Sequence, residues 1–256
     1  MDIEMNAKSI PTRRQVLALG AAATVSFLDS PLRAGTDTRP VVIELFTSQG
    51  CSSCPPADAF LKELKDMKGV IAISLHVDYW DYLGWRDTLG DKAYSERQFD
   101  YARQRSDNDV YTPQMIVNGK RYYVGSNKAA IKAAIKEAQP ESGPPWVALS
   151  ISHSANEIVV TADALANAPE STLWLMAIAP AITVKIERGE NAGHNIAYYN
   201  VVRKIVPAGM WKGEAMKLAL PRDRVLTSES KACVALLQTG TSGPIIGATS
   251  WGKVAV

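Results

Sequence analysis

Two cysteines three positions apart stand where an apolar stretch gives way to a helix. Residues 41–46 are mostly apolar and β-branched, which predicts a buried strand. A helix is predicted directly after Cys54, because Pro55 and Pro56 are tolerated in a first helical turn. The unpaired N–H groups and positive dipole end of a helix N-terminus favour thiolate over thiol. The sequence therefore predicts a redox couple in which Cys51 attacks and Cys54 resolves the mixed disulfide.

Other roles for this cysteine pair stay open. A structural disulfide is common outside the cytoplasm, although so small a loop constrains little chain entropy. A metal ion needs about four ligands, and without a second cysteine pair it would have to borrow His76 or aspartates. No metal or separate cofactor is predicted besides the redox-active disulfide Cys51–Cys54. The alternative functions are a non-catalytic binding module with a structural disulfide and a periplasmic copper chaperone.

The overall composition is that of a soluble globular protein. The 256 residues are 46% hydrophobic and 21% charged, enough for one large domain or two modest ones. Lys and Arg number 28 against 26 acidic residues, so no broad charge attracts nucleic acid, and we expect no nucleic-acid partner. Cys233 lies in the apolar run 232–237 and is interpreted as a small core residue.

The N-terminus has the anatomy of an export signal, predicted to occupy residues 1–34. Arg13 and Arg14 precede an apolar run over 16–28, shorter than the roughly 20 residues that cross a bilayer. Adjacent arginines resemble a twin-arginine signal, and a general secretory signal is the alternative. Both predict a periplasmic or secreted mature protein without a permanent membrane anchor.

The mature chain changes its pattern near residue 140. Over 39–139 the predicted order is strand, helix, strand, helix, strand, strand, helix, which is typical of an α/β domain. Residues 140–145 are rich in Pro, Gly and Ser and predict a linker. Residues 146–256 carry short alternating β runs, which favour a smaller, mostly antiparallel sandwich or barrel.

Three motifs carry a resemblance to a known family: C-S-S-C-P-P within 44–58, H-V-D-Y-W-D at 76–81 and Y-T-P-Q-M at 111–115. The chain resembles a family of exported thioredoxin-like bacterial proteins catalogued as a domain of unknown function. Residues 187–193 and 200–203 fit the same family. The resemblance implies a thioredoxin-like domain over 39–139, with a protein thiol or disulfide as substrate or redox partner.

The resemblance also implies roles for three residues near the cysteines. Pro113 would be a cis-proline, with the backbone of Thr112 facing Cys51 and free to pair with an extended substrate segment. The alternative is a trans proline that opens an edge strand. Glu44 stands one position from where thioredoxins keep a buried acid, and a buried glutamate beside Cys54 could relay a proton. A solvated or hydrogen-bonded group at the strand end is the alternative for Glu44.

The segment after the second predicted strand is a candidate substrate groove. In open α/β sheets, ligand sites collect at the end of the sheet where this segment begins. His76, Asp78, Tyr79 and Trp80 are therefore predicted to line a groove for a peptide or an apolar electron carrier. A packed aromatic lid without a ligand is the alternative.

The C-terminal region holds one polar cluster between β runs. Its members are Arg188, Glu190, Asn191, His194 and Arg203. We interpret the cluster as a hydrogen-bonded loop, with a docking or substrate-binding surface as the alternative.

Overall fold

The computed structural model describes residues 39–138, 145–252 and 254. The predicted export signal lies outside the described residues, and so does most of the predicted linker. Within the described part, no helix combines the length and the apolar character needed to cross a membrane.

Helices concentrate in the first half of the described chain, and strands dominate the second half. The elements in chain order are β1 (Val41–Thr47), α1 (Pro55–Lys65), β2 (Val70–His76), a 3-10 helix (Asp81–Leu83), α2 (Lys92–Arg105), β3 (Gln114–Val117), β4 (Arg121–Val124), α3 (Lys128–Ala138), β5 (Leu149–His153), β6 (Glu157–Ala162), β7 (Ser171–Lys185), β8 (Asn195–Trp211), β9 (Met216–Pro221), α4 (Arg222–Val225), β10 (Ala232–Thr239) and β11 (Ile245–Trp251). The structure is therefore a mixed α/β fold with a predominance of strands.

Eight strands form one continuous sheet in the order β11-β10-β7-β8-β2-β1-β3-β4. β1 and β2 are parallel, whereas β3 and β4 run antiparallel to their neighbours. β8 joins β2 in parallel, with Ser74 opposite Val201. Strands from both sides of the predicted linker thus belong to the same sheet.

One face of this sheet packs against α2. Its core joins buried apolar residues of β1, β2, α2, β7 and β10, among them Val42, Phe46, Ile71, Ile73, Tyr94, Tyr101, Met176, Val234 and Leu236. Because these residues come from both halves of the chain, the two halves share one hydrophobic core.

The opposite face of the sheet is covered by two different layers. α1 and α3 pack on β1, β2 and β3. The three-stranded antiparallel sheet β5-β6-β9 packs on β7 and β10, which gives the sandwich that was one of the two predicted arrangements. Cys233 lies fully buried in the core between the sheet β5-β6-β9 and strands β7 and β10, where burial raises the pKa of its thiol to about 12. Its interpretation as a core residue is confirmed.

α1 carries the cysteine pair at its N-terminus and is fixed by an apolar stripe. Phe60, Leu61 and Leu64 recur at the three- and four-residue spacing of a helix face and are buried against the sheet. Glu63 lies on the outer face, where it pairs with Lys128 of α3. The start of the helix is thereby held at the end of β1.

Candidate functional site

The cysteine pair closes the turn between β1 and α1. Cys51 and Cys54 form a disulfide with their Cα atoms 5.4 Å apart. Cys54 directly precedes α1, and its carbonyl accepts the N–H of Ala57 at 2.9 Å. Cys54 is fully buried and Cys51 keeps 2% of its surface exposed, whereas Ser52 and Ser53 between them are exposed. Both cysteines are thus buried, and only Cys51 keeps a small exposed surface.

The sulfur of Cys51 lies among polar atoms. Its Sγ is 3.3 Å from the Ser53 hydroxyl and 3.7 Å from the Thr112 carbonyl oxygen. A disulfide sulfur carries no proton, so its approach to that carbonyl is a contact and not a hydrogen bond; the Ser53 hydroxyl donates its single proton to the Thr112 carbonyl at 3.4 Å. The Thr112–Pro113 peptide is cis, as the resemblance implied. The structure thus brings together the predicted residues Cys51, Cys54, Thr112 and Pro113.

A glycine lets the cis-proline approach α1 closely. The Gly125 N–H donates to the Pro113 carbonyl at 2.8 Å. A Cβ on Gly125 would lie 2.9 Å from the Cβ of Pro113 and 3.1 Å from that of Ala57. Real Cβ atoms hardly ever come so near, so a larger residue would push Pro113 away from the helix that carries the cysteines.

An aromatic surface begins beside Thr112. Trp80 Nε1 donates to the Thr112 hydroxyl at 2.7 Å, and Trp80 stacks on Tyr82, which is 77% exposed. Tyr79 contacts both Trp80 and Phe99, with ring centroids 6.1 and 6.2 Å apart. These four rings, Tyr79, Trp80, Tyr82 and Phe99, are called the aromatic surface below. Two of the predicted groove residues, Tyr79 and Trp80, belong to it.

The other two predicted groove residues serve different purposes. The Asp78 carboxylate and N–H both bond the Ser95 hydroxyl, which ties the end of β2 to α2. His76 is completely buried, its Nδ1 lies 2.9 Å from Asp87 Oδ2, and its ring packs edge-on against Tyr198. A fully buried imidazole cannot line a surface groove, so the predicted groove role of His76 is corrected to an interior one.

Glu44 lies on the far side of the sheet from α1. On β1 it alternates with Ile43 and Leu45, which pack towards α1. Its carboxylate therefore faces α2, where Arg97 Nε donates to it at 2.7 Å and the Tyr101 hydroxyl donates to its other oxygen. These contacts make Glu44 the partner of a buried guanidinium. They do not support the predicted proton relay from Glu44 to Cys54.

A different buried acid lies on the cysteine side. Asp58 follows Cys54 by four residues on the inner face of α1 and is 2% exposed. Neither of its carboxyl oxygens makes a hydrogen bond of good geometry, although the Thr47 hydroxyl lies close enough to lower its pKa; burial outweighs this effect and raises the pKa from 3.8 to about 7. The Thr47 hydroxyl and the His76 imidazole lie near it. Asp58, Thr47, His76, Asp87 and Tyr198 are called the buried polar cluster below.

Asp87 anchors this cluster as a carboxylate. Its Oδ2 accepts the Gln49 N–H at 2.8 Å besides facing His76, and its Oδ1 accepts the Leu89 N–H at 2.8 Å. Burial by itself raises the pKa of Asp87, but the His76 imidazole and the two N–H groups outweigh burial and hold that pKa below its ordinary value. Since Asp87 only accepts, His76 Nδ1 donates, and His76 Nε2 is left without a partner.

Sequence reasoning missed Asp58 and Asp87 as site residues. A signal existed for Asp58, because it stands between Ala57 and Leu61 on the apolar face of α1, four residues after Cys54. Asp87 gave no signal, because it lies in a loop without periodicity. Within the described residues, no three His, Cys, Asp or Glu side chains are grouped as a metal ion would require.

The loop between β7 and β8 reaches the cysteine turn. The buried Asn191 side-chain amide donates to the carbonyls of Gln49 and Cys51, both at 2.9 Å. The exposed Glu190 carboxylate accepts the Ser52 N–H at 3.1 Å, and its hydrogen bonds to Ser52 lower its pKa. This part of the predicted polar cluster is a hydrogen-bonded loop, as interpreted, and it holds the cysteine turn in place.

Comparison with known proteins supports one family. The family model described as "Protein of unknown function (DUF1223)" matches residues 42–238. A crystal structure of a protein from Agrobacterium tumefaciens is 32% identical, covers 86% of this chain and 96% of that one, and has a TM-score of 0.74. HBP35 of Porphyromonas gingivalis shares the fold at 15% identity, covering 85% of this chain and 76% of that one with a TM-score of 0.57. No curated protein matches. The chain therefore belongs to the family described as a protein of unknown function, DUF1223.

Proposed function

We propose that this chain is an exported thiol–disulfide oxidoreductase that acts on protein thiols through the Cys51–Cys54 couple. One observation carries the proposal. The disulfide stands at the N-terminus of α1, and the Cys51 sulfur lies 3.7 Å from the carbonyl of Thr112, the residue before Pro113. A purely structural disulfide needs neither the helix terminus nor this neighbour.

The topology around the cysteines supports a thioredoxin-like fold for residues 39–138. The parallel strands β1 and β2 are joined by α1, and the antiparallel hairpin β3–β4 adds to the other edge of β1 and leads into α3. This is the arrangement that the sequence resemblance implied. In this interpretation β7, β8, β10 and β11 extend the thioredoxin-like sheet beyond β2.

The chemistry follows from the different positions of the two sulfurs. A substrate thiolate attacks Cys51, forms a mixed disulfide, and displaces Cys54 as a thiolate; a second substrate thiolate then releases reduced Cys51 and leaves a substrate disulfide. Two electrons thereby pass to the protein. In the reverse direction Cys51 attacks a substrate disulfide and Cys54 resolves the mixed disulfide. In both directions it is the positive dipole end of α1 that favours the Cys51 thiolate, because Pro55 and Pro56 have no N–H and the N–H groups of Ala57 and Asp58 are bonded to the Cys54 carbonyl.

The surroundings of Cys51 favour a polypeptide substrate. Ser53, which covers the sulfur, is exposed and short, so rotation of its side chain opens the approach. An extended substrate segment then adds along the backbone of Thr112, as a strand adds to a sheet edge. The aromatic surface next to Thr112 would receive an apolar or aromatic side chain of that segment, because Trp80 and Tyr82 are accessible there.

The first prediction is covalent trapping in a variant that cannot resolve. The mature Cys54→Ser protein, mixed in its reduced form with glutathione disulfide or an oxidised protein, should hold a mixed disulfide on Cys51. Cys51→Ser should hold none, because the buried Cys54 does not reach the substrate. Mass spectrometry of alkylated samples detects the adduct, and glutathione titration of the wild type gives a potential of roughly −270 to −120 mV.

One combination of results would contradict the proposal. If Cys54→Ser traps nothing and the wild-type disulfide has a potential below about −300 mV, the disulfide is structural and the chain is a binding module. The titration also establishes whether the couple oxidises or reduces its substrates, because a higher potential makes it the oxidant.

A further inference from the structure

Unpartnered polar atoms gather in the interior next to the disulfide. Seven buried side-chain polar atoms of the described residues have no hydrogen-bond partner, and five of them belong to the buried polar cluster: Asp58 Oδ1 and Oδ2, Thr47 Oγ1, His76 Nε2 and Tyr198 OH. Folded proteins pair nearly all their buried polar groups. Such a concentration in one place therefore calls for a functional reason.

The helix brings Asp58 close to Cys54. The Asp58 N–H donates to the Cys54 carbonyl at 3.1 Å, so the two residues are one turn apart in α1. Residues four apart lie on the same side of a helix, and helical side chains lean towards the N-terminus. Asp58 and Cys54 thus lie on the same side of this turn, and both residues are buried.

The groups facing Asp58 come from three other elements. Thr47 stands at the end of β1, His76 at the end of β2 and Tyr198 on β8, while Asp87 lies behind His76. The His76 imidazole favours the ionised carboxyl of Asp58, whereas Asp87 disfavours it. With burial as the dominant cause, the pKa of Asp58 rises to about 7. Both of its protonation states are therefore populated near neutral pH, as a proton acceptor and donor requires.

We propose that Asp58 takes the proton of Cys54 when the dithiol closes and returns it when the disulfide opens. His76, fixed by Asp87, is a positioning residue whose imidazole lies near Asp58. This inference rests on the proposed function, because it assigns a proton acceptor to the resolving step. It replaces the role that Glu44 was predicted to have.

The step balances without a further reactant. The Cys54 thiol gives its proton to the Asp58 carboxylate, and the Cys54 sulfur attacks Cys51 in the mixed disulfide. The Cys51–Cys54 bond forms, the bond to the substrate sulfur breaks, and the substrate leaves as a thiolate. In the opposite direction the protonated Asp58 neutralises the departing Cys54 thiolate, which would otherwise be a buried charge.

A single-turnover experiment tests this assignment. The reduced mature protein is mixed with glutathione disulfide, quenched with acid at intervals, and analysed for the Cys51–glutathione adduct. Asp58→Asn should attack at the wild-type rate but resolve on the order of 10²-fold more slowly, so that the adduct accumulates. The wild-type resolution rate should also rise with pH through about 7 as Asp58 ionises, and Asp58→Asn should lose this rise.

Glu63→Gln is the matched control, because it makes the same chemical change on the exposed face of the same helix. It should resolve like the wild type. If the wild type itself forms no adduct, the proposed function fails. If the wild type reacts and a folded Asp58→Asn resolves equally fast with the same pH profile, only the role of Asp58 fails.

A second measurement needs no variant and covers the case in which Asp58→Asn does not fold. The carboxyl carbon of Asp58 is titrated by NMR in the oxidised and the reduced wild type. A proton exchanged with Cys54 makes the pKa of Asp58 differ between the two redox states, because the titrations of neighbouring groups are coupled. An identical titration curve in both states would overturn the proposal.

Discussion

Two buried carboxyl groups near β1 show how the surroundings of a side chain decide its role. Glu44 faces Arg97 and Tyr101, so its negative charge has a permanent buried partner. Asp58 has the Thr47 hydroxyl and the His76 imidazole nearby but no ion pair, and burial dominates its pKa. A buried carboxyl group without a charged partner changes its protonation state more readily than one paired with a guanidinium. This contrast is the reason why we assign the proposed proton transfer to Asp58 and not to Glu44.

Asp58 should also make the stability of the oxidised protein depend on pH. Its pKa is about 7 in the folded chain and near 3.8 in the unfolded chain, so the folded state binds the proton more tightly. The free energy of unfolding should fall as pH rises from about 4 to about 7 and then level off. At about 1.4 kcal/mol per pKa unit, the full loss is on the order of 4 kcal/mol.

Urea unfolding at pH 4, 5.5 and 8 measures this loss. Asp58→Asn should remove most of it, because an amide has no charge to bury. Parallel pH profiles for the wild type and Asp58→Asn would show that Asp58 is ionised or solvated in the folded protein. Glu63→Gln again serves as the comparison, since this exposed carboxylate should change the profile little.

The sequence predicted the cysteine pair and the proline beside it but not the buried groups around them. The Cys51–Cys54 pair was predictable from its spacing and its place before a helix, whereas the cis Pro113 was implied by the family resemblance. The groove prediction for His76 was wrong because His76 is the last residue of β2. The direction of such a side chain depends on how the pleat meets the following loop, and the sequence does not show this. Glu44 faces α2 because α2 covers that side of the sheet. The order of elements along the chain does not specify which helices cover which side.

At the scale of elements, the loop between β7 and β8 is a brace for the cysteine turn. Its Asn191 amide is shared between the carbonyls of Gln49 and Cys51 across more than a hundred residues of sequence. A buried carbonyl that loses its donor costs about 1–3 kcal/mol. The brace therefore holds the turn in the geometry that presents Cys51 at the start of α1.

Asn191→Ala should loosen this turn without unfolding the sheet. Hydrogen exchange of the amides over residues 49–54 should become faster by on the order of 10-fold or more, whereas the amides of β7 should keep their protection. Glu190→Gln is the control on the same loop, because it retains the Asn191 bonds and affects only the contact with Ser52. Unchanged exchange over 49–54 in Asn191→Ala would mean that the cysteine turn is rigid without the brace.

The elements differ in how well local sequence predicted them. β1 covers the apolar stretch 41–46 from which it was predicted, and α1 begins directly after Cys54 as predicted, because a short apolar run and the two prolines of a first helical turn are local signals. Short β runs are predicted over residues 146–256, whereas β7 is 15 residues long and continues past Pro180. The pairing of β7 with β8 accommodates prolines where its register is irregular. For example, Pro207 of β8 lies opposite Trp174, where the register shifts. Long-range pairing of this kind has no local signature.

At the scale of the whole molecule, the junction between the two halves is built from backbone and side chains together. Besides the Ser74–Val201 pairing of β2 with β8, the Ser74 hydroxyl donates to the Tyr199 carbonyl at 3.0 Å and the Asn200 amide donates to the Ala72 carbonyl at 2.8 Å. Arg97 of α2 also donates to Gln238 of β10 at 3.1 Å. These buried contacts, with the shared core, couple the stability of the two halves.

This coupling predicts that the described chain unfolds as one unit, which a substitution far from β1 can test. Leu237 of β10 is fully buried in the sandwich core between the two sheets, and that core contains no residue of β1 or β2. Leu237→Ala should cost about 2–5 kcal/mol by opening a cavity. If unfolding is cooperative, the urea midpoint at which β1 amides lose protection should fall as far as that of the β10 amides. A β1 midpoint that stays at its wild-type value would instead divide the protein into two independently unfolding regions, with the shared sheet as a weak contact between them.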